Sequence, residues 1–363
     1  MKKLSVLLVF VLLLSVFAGC KPIEAPPSPA APTGSAAAPV ESTAAPIEST
    51  AAPVESTAVP GDSTAAPTQT PQPAGDDDGV HPMLFHVTGP EGAEGYLFGT
   101  IHVADERVNT VLSKLLPYLD ACDALAVEFD IVAYENDYAA QMASMQQFLL
   151  QDGSTVDQHM PKELFDRASA LLNEAGLMPD LTKIYNLSMW SQLVEQAALM
   201  TRTDYSMEIG MDRTLIQHCY EKNIEVRDVE SAELQYGLLA GFSDELNLLL
   251  IENTLDNLED YSEAIDRLYG AWLAGSYEGL MEVLEEEDEG SEELTEAQQA
   301  LLEDYNDKML TQRNLGMRDK AVQWLEAGDK VFFAVGAAHL MDEDGLVALL
   351  RAAGYTVEQV EYR

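Results

Sequence analysis

One eight-residue pattern, Gly-x-x-His-x-x-Asp-Glu, occurs twice in the chain, at residues 99–106 and again at residues 336–343. Each copy follows a short apolar stretch, residues 95–98 and 331–335, that predicts a buried strand, and each precedes a helical pattern. The copies lie at the two ends of the globular part, so both ends must enter one sheet for the domain to close. Because α/β proteins bind ligands beyond the carboxyl ends of their strands, this sheet edge is the predicted functional site.

Three polar side chains end predicted buried strands: His102, Glu128 and His339. Two imidazoles and one carboxylate are a common ligand set for a catalytic divalent metal, with positions left for water and substrate. The same groups would suit a metal-free site in which a His–carboxylate pair activates water. A third interpretation is that each histidine is an ordinary core residue. The chain has only six histidines, so two in matched frames argue against this interpretation.

Each motif histidine is followed three residues later by an aspartate, Asp105 or Asp342. Aspartate just before a helix caps early backbone N–H groups, and this role is favoured over metal ligation. The motifs of serine hydrolases, zincins, P-loop proteins and dinucleotide-binding proteins do not occur in the sequence. The candidate chemistry therefore rests on the histidines and Glu128.

The first twenty residues predict a targeting segment rather than a folded element. Lys2 and Lys3 precede an apolar core at residues 4–17, and a small-residue cleavage site ends at Cys20. This resembles a bacterial lipoprotein signal, in which Cys20 becomes the lipidated first residue. A membrane-spanning helix is the alternative, but about 14 apolar residues are fewer than the ~20 that a bilayer requires. We expect a lipid-anchored protein at the extracytoplasmic face of the cell membrane.

The segment that follows, residues 21–79, is a low-complexity spacer. Proline recurs every seven residues among Ala, Ser, Thr and Glu, and large apolar side chains are almost absent. Such a segment cannot bury enough apolar surface to offset the entropy of ordering, so we expect a disordered, semi-extended linker. The globular domain is predicted to span residues 80–363.

The charge of the chain excludes one class of partner. With 62 acidic and 20 basic residues the formal net charge is −42, which rules out electrostatic binding to nucleic acid. The same charge disfavours docking on anionic lipid head groups. Acidic residues are densest at residues 285–296, where a solvated loop is favoured over a calcium site because the alternating ligand spacing is missing.

The predicted fold class is α/β, or more closely α+β, with a central mixed sheet built from the N- and C-terminal strands and a large helical insertion between them. Residues 134–327 have a helical pattern almost throughout, including two long helices at 245–270 and 295–327. Strands are predicted at residues 83–87, 96–101, 124–128, 224–226, 330–335 and 356–360.

Several segments together resemble one family. Residues 96–102, YLFGTIH, resemble the leading motif of the TraB/GumN family, which includes the Tiki metalloproteases and the pheromone-shutdown proteins. Residues 335–340 and 353–357 are similar to its closing motif. Further resemblances follow in the family's order at residues 127–128, 210–212, 229–235 and 312–317. In the third of these segments, Ser231 stands where the family has threonine.

The resemblance implies a single α/β domain with a hydrolase-like site, and in Tiki-like members the activity is metal-dependent peptide cleavage. Manganese, cobalt or zinc is the implied ion, and a peptide or protein the implied substrate. Arg313 is expected to stabilise an oxyanion or to bind a substrate carboxylate, although a salt bridge to a nearby acid such as Glu303 or Asp304 is equally favoured. The implied metal or water ligands are His102, Glu128 and His339, with Asp212 and Glu230 orienting them.

Two functions follow as hypotheses. The first is a surface-anchored, metal-dependent hydrolase of the peptidase type that uses the paired motifs and Glu128. The second is a binding protein that sequesters a secreted peptide or haem without chemistry. For Asp212, capping of its own helix is slightly favoured over a role at the site.

Overall fold

The computed structural model describes residues 78–286 and 294–362. The predicted lipoprotein signal with Cys20, nearly all of the predicted spacer and the centre of the acidic run lie outside these ranges. Within them, no helix is both long and apolar enough to cross a membrane.

Six strands form one sheet: β1 (Leu84–Thr88), β2 (Glu94–Thr100), β3 (Ala124–Val127), β4 (Glu225–Asp228), β5 (Val331–Gly336) and β6 (Thr356–Gln359). Their order across the sheet is β4-β3-β5-β2-β1-β6. The first four in this order are parallel, whereas β1 is antiparallel to both β2 and β6. The predicted mixed sheet, built from both ends of the chain, is confirmed.

The composition of the strands explains their places. Every residue of β3 and β5 is buried, as expected for parallel strands that are covered on both faces. The edge strands β4 and β6 are mostly exposed and carry charged residues, which discourage pairing with a further strand.

Strand pairing brings the two histidine motifs together. Thr100 of β2 lies opposite Gly336 of β5, and Val127 of β3 lies opposite Ala334. Because β5 lies between β2 and β3, the three predicted site residues leave adjacent strands at the same edge. Close packing requires Gly99, since a Cβ there would lie 3.1 Å from the Cα of Ala337.

The connections are helical. Trp272, in the helical insertion, donates its indole N–H to the carbonyl of Gly99 at 2.8 Å and so ties the insertion to the first motif. In the described residues the helices longer than one 3₁₀ turn are α1 (Val108–Leu119), α2 (Ile131–Asn136), α3 (Tyr138–Gln147), α4 (Lys162–Glu174), α5 (Pro179–Thr182), α6 (Leu187–Arg202), α7 (Met211–Lys222), α8 (Ala232–Ala240), α9 (Asp244–Asp256), α10 (Tyr261–Ala274), α11 (Tyr277–Glu286), α12 (Glu296–Asn306), α13 (Gln312–Ala327) and α14 (Leu346–Ala352).

The two long helices predicted from the sequence are each interrupted. The first is broken into α9 and α10 by a turn after Asp256, and its apolar pattern continues across the break because both helices bury one face. The second contains a π-helical turn, Asp307–Thr311, between α12 and α13. A π turn interrupts the i→i−4 backbone hydrogen bonds of a helix. In this turn the carbonyl of Met309 accepts a hydrogen bond from the Arg313 side chain at 3.1 Å.

Candidate active site

The histidine of the first motif is fixed by a carboxylate. His102 is buried, and its Nδ1 lies 2.7 Å from Oδ2 of Asp212. The hydroxyl of Thr100 donates to Oδ1 of the same carboxylate, also at 2.7 Å. Because the carboxylate oxygen accepts this hydrogen bond, Nδ1 of His102 carries a proton, and in the neutral ring Nε2 holds the lone pair. That Nε2 is buried and has no hydrogen-bond partner within the described chain.

A glycine makes this contact possible. Asp212 lies in the first turn of α7, whose backbone begins beside the first motif, with the Met211 N–H bonded to the carbonyl of Ile101 at 2.9 Å. A Cβ on Gly210 would lie only 2.3 Å from the carbonyl oxygen of His102. Any larger residue would push α7, and Asp212 with it, away from the imidazole.

The histidine of the second motif is fixed by an amide. His339 lies in a 3₁₀ turn directly after β5 and is fully buried. Its Nδ1 is 2.6 Å from Oδ1 of Asn314 on α13. Its Nε2, like that of His102, is buried and without a hydrogen-bond partner in residues 78–286 and 294–362.

Glu128 lies between the second motif and α13. One oxygen, Oε1, accepts the backbone N–H of Gly336 at 2.9 Å and lies 3.7 Å from Nε2 of His339. The other oxygen, Oε2, accepts from Arg313 Nη2 at 2.6 Å and from Gln235 Nε2 at 2.9 Å. Three donors therefore hold this carboxylate, and only Oε1 faces a histidine.

Arg313 binds two buried carboxylates at once. Its Nη2 contacts Glu128, and its Nε and Nη2 both donate to Glu230, at 3.0 and 2.7 Å to Oε2. Glu230 reaches this position because β3 and β4 are parallel and its N–H bonds to the Glu128 carbonyl at 2.8 Å. With Nη1 on the carbonyl of Met309, all three guanidinium nitrogens already donate to protein oxygens.

These contacts set the charges of the site. Burial raises the pKa of Glu128, but Arg313, His339 and His102 together outweigh burial and hold that pKa well below its usual range. Burial, and then the charge of Arg313, lower the pKa of His339 to about 3. Burial also acts to lower the pKa of His102, yet Asp212 and Glu128 leave it above its usual value. Glu128 is therefore ionised and His339 neutral at physiological pH.

Comparison with known proteins now identifies the family. The model of the TraB/PrgY/gumN family matches residues 83–359. The chain belongs to the TraB/PrgY/gumN family. It is also 24% identical over 268 residues to YbaP, an uncharacterized protein of Escherichia coli strain K12, and to YbaP of Shigella flexneri. These matches cover 73% of this chain and 90% of each relative. No solved structure matches the chain significantly.

The structure of this family member brings the residues singled out in the sequence together at one sheet edge. His102, Glu128 and His339 follow adjacent strands, while Asp212 and Arg313 reach them from α7 and α13. No three His, Cys, Asp or Glu side chains of the described residues form a ready-made metal-ligand group. The roles of these residues in binding an ion or a substrate stay predictions.

Sequence reasoning gave no role to three residues that contact the site groups. Thr100 bonds to Asp212, Gln235 to Glu128, and Asn314 to His339. All three lie inside segments that resemble family motifs, so their position in those motifs was the available signal. Their polar side chains alone carried none, because Thr, Gln and Asn are common on exposed helix and loop surfaces.

Neither motif aspartate caps the helix that follows it. The N-cap of α1 is Arg107, without a side-chain cap, so the capping role predicted for Asp105 is wrong; Asp105 instead accepts the backbone N–H of Arg107 at 2.9 Å in the turn that leads into α1. The same expectation for Asp342 is also wrong. The N-cap of α14 is Gly345, without a side-chain cap, and Asp342 adopts a left-handed backbone conformation with φ of 64°. Its backbone N–H bonds to the hydroxyl of Tyr277 at 2.6 Å.

Proposed function

We propose that the chain is a metal-dependent hydrolase of peptides whose centre is formed by the two histidine motifs and Glu128. One observation carries the proposal: His102 and His339 are buried with Nδ1 held by a neighbour, while neither Nε2 has a hydrogen-bond partner among the described residues. Leaving a buried polar atom unpaired costs about 1–3 kcal/mol. Two such atoms beside adjacent strands suggest a shared ligand.

The imidazoles fit a divalent ion such as manganese, cobalt or zinc. Histidines that bind metals present one nitrogen to the ion and bond the other to a carboxylate or carbonyl oxygen, which fixes the ring. His102 is bonded in this way to Asp212, and His339 to Asn314. The nitrogen left over in each ring is Nε2, and both Nε2 atoms would hold the ion.

Glu128 fits as a third ligand through one oxygen only. Its Oε2 is occupied by Arg313 and Gln235, whereas Oε1 accepts a single backbone N–H and retains a second lone pair beside His339. No three such side chains in the described ranges are already placed as a ligand group, so binding an ion would require the three side chains to move toward one another. Arg313 keeps Glu128 ionised and so preserves its negative charge for the ion.

The chain's own residues then have separate tasks. A bound divalent ion would supply a water whose pKa is near 7. Asp212 accepts a hydrogen bond from Nδ1–H of His102 and makes its Nε2 a better electron donor. Glu128 places an ionised carboxylate beside His339. Burial of all these groups keeps bulk water out and strengthens their interactions with a developing charge.

The pair of His102 and Asp212 also has the geometry of a metal-free general base, because Nε2 is free to take a proton from water. Chelation separates this route from the metal-dependent one. Hydrolysis that persists after exhaustive chelation would assign the base to His102 Nε2 and would remove the metal from the proposal.

The test is cleavage of a mixed peptide library, followed by mass spectrometry, after chelation and with manganese, cobalt or zinc added back. We expect metal-dependent fragments in molar excess over the parent protein and none from a folded His339→Ala variant. His86→Ala, which removes the β1 side of a partly exposed pair with Glu94 of β2, is the matched control and should retain activity. Parental turnover in folded His339→Ala would contradict the proposal.

Intact peptide retained near one per chain, or a Soret band on haem addition, would support the sequestering alternative instead.

The proposal includes anchoring at the extracytoplasmic face of the membrane through lipid on Cys20. It rests on the predicted signal segment alone. Incorporation of a labelled fatty acid into the parent protein, and its loss with release from the membrane fraction in Cys20→Ser, are the expected results. An unlabelled parent protein recovered in the soluble fraction would contradict the anchoring.

A further inference from the structure

We propose that Asn314 is a positioning residue that fixes His339 as the tautomer with its proton on Nδ1. This inference deepens the proposed function, because it names the group that directs the Nε2 lone pair of His339 toward the site. The contact that carries it is the 2.6 Å distance between Nδ1 of His339 and Oδ1 of Asn314.

The orientation of the Asn314 amide is decided by its other end. Its Nδ2 lies 3.0 Å from the backbone carbonyl of Asp344. A carbonyl can only accept a hydrogen bond, so the nitrogen of the amide must face Asp344 and the oxygen must face His339. A flipped amide would set two acceptors against each other at Asp344.

The tautomer follows from that orientation. Oδ1 of Asn314 is an acceptor, so the ring nitrogen that contacts it must be the donor, and Nδ1 of His339 carries the proton. A neutral imidazole has one N–H, which leaves Nε2 as a lone pair. This Nε2 is the buried atom without a hydrogen-bond partner in the described chain, 3.7 Å from Oε1 of Glu128.

Asn314 is hydrogen-bonded at both ends of its amide to the same short segment of the chain. His339 and Asp344 lie five residues apart in one segment, and Asn314 bonds to both from α13. Asn314 is fully inside the protein, so its amide has no competition from bulk solvent. The neighbouring residue Arg313 binds Glu128, so two successive residues of α13 fix the histidine and the carboxylate relative to each other.

The first measurement is the tautomer of His339 by long-range ¹H–¹⁵N correlation spectra of the full chain labelled with ¹⁵N-histidine, without metal or substrate. The His339 signals are identified by their loss in His339→Gln. We expect the pattern of the Nδ1–H tautomer in the parent. An Nε2–H pattern in the parent would overturn the inference. This measurement of the tautomer needs no variant of Asn314.

Two variants then separate positioning from packing. Asn314→Leu has a similar volume but no acceptor, and we expect His339 to lose its single tautomer and the affinity for cobalt(II) to fall about 10–100-fold. Asn314→Asp keeps an acceptor for Nδ1 and, with a proton on its other oxygen to donate to the Asp344 carbonyl, should retain both the tautomer and most of the affinity. A folded Asn314→Leu protein with the parental tautomer would overturn the inference. Because the tautomer is read without metal or turnover, a parent that shows it but hydrolyses nothing would remove the proposed function and leave the positioning role intact.

Discussion

The two Gly-x-x-His motifs have the same residue pattern and leave adjacent parallel strands, yet their histidines are held by different chemistry. His102 bonds to the carboxylate of Asp212, which leaves its pKa above the usual value. His339 bonds to the amide of Asn314, and burial and then the charge of Arg313 lower its pKa to about 3. Burial acts on both histidines, so the difference between their pKa values comes from charged partners on other elements and not from the motif.

The difference suggests why a repeated motif would be kept in two unequal forms. In the proposed centre, a carboxylate would make the imidazole of His102 more electron-rich, and the imidazole of His339 would stay neutral. No proton would then compete with the ion at His339. The proposed centre therefore needs both copies of the motif.

The largest effect is expected from removing the histidines themselves. His102→Ala and His339→Ala should each lower peptide turnover by about 10²–10⁴-fold. Because groups that act as one unit are strongly non-additive, the double variant should be no slower than the slower single variant within a few-fold. Turnover assays of all four proteins test this. A double variant whose loss equals the product of the two single losses would show that the motifs act independently.

The carboxylate beside the second motif belongs to a buried ion pair with an arginine. Arg313→Ala would leave the carboxylates of Glu128 and Glu230 buried without their cation, so we expect the free energy of unfolding to fall by about 3–5 kcal/mol. Arg318→Ala, on the same helix, removes a pair with the largely exposed Asp319 and should change stability by about 0.5 kcal/mol or less. Urea denaturation of both variants is the measurement. Equal effects would contradict the role given to Arg313.

Glu195 is a buried acid outside both motifs, and it has no charged partner among its hydrogen bonds within the described residues. It therefore shows how a buried group titrates when no cation offsets burial. Glu195 contacts only the hydroxyls of Tyr261 and Thr254 among the hydrogen bonds described, at 2.6 and 2.9 Å. Burial raises its pKa to about 7, although both hydroxyls oppose the shift. The folded state therefore holds a proton that the unfolded state has released, and stability should fall as pH rises from about 4.5 to about 7.

Glu195→Gln should remove this slope, because the amide is neutral at every pH. Two and a half pKa units correspond to about 3 kcal/mol, so the variant should be more stable than the parent at pH 7.5 by up to that amount. Denaturation curves of both proteins at pH 4.5 to 7.5 give the difference directly. A difference in stability that does not change with pH would show that Glu195 is not protonated in the folded protein.

The smallest effect is expected from replacing Asp212, the hydrogen-bond partner of His102, by a residue of the same shape. Asp212→Asn removes the charge that holds Nδ1 of His102, and we expect cobalt(II) affinity and turnover to fall about 10–100-fold with the fold intact. Thr100→Val removes only the hydroxyl bonded to Asp212 and should have a smaller effect. An Asp212→Asn protein with parental affinity would mean that the amide partner of His339 and the carboxylate partner of His102 are interchangeable.

Much of the fold could be predicted because it depends on local pattern. The apolar runs of β3 and β5 identify central strands, and the matched motifs require the chain ends to meet. The breaks in the long helices could not be predicted in this way, because the apolar period continues through the turn after Asp256. The π turn before Arg313 likewise has no composition signal of its own.

The site residues could be predicted more readily than their contacts. The sequence offers nearby acids such as Glu303 or Asp304 as partners for Arg313, whereas the structure pairs it with Glu128 and Glu230, 185 and 83 residues away. Pairings between strands and helices far apart in sequence depend on the complete fold. For the same reason, the contact between Asn314 and a histidine could not be predicted from the sequence.

The central claim is that both motifs serve one centre, and cobalt(II) titration by calorimetry tests it most directly. The parent, His102→Ala and His339→Ala are compared at pH 7.5, with folding checked by circular dichroism. We expect one ion per chain in the parent, and a loss of tight binding in each folded single variant. Parental cobalt binding by either folded single variant, or no binding by the parent, would contradict it.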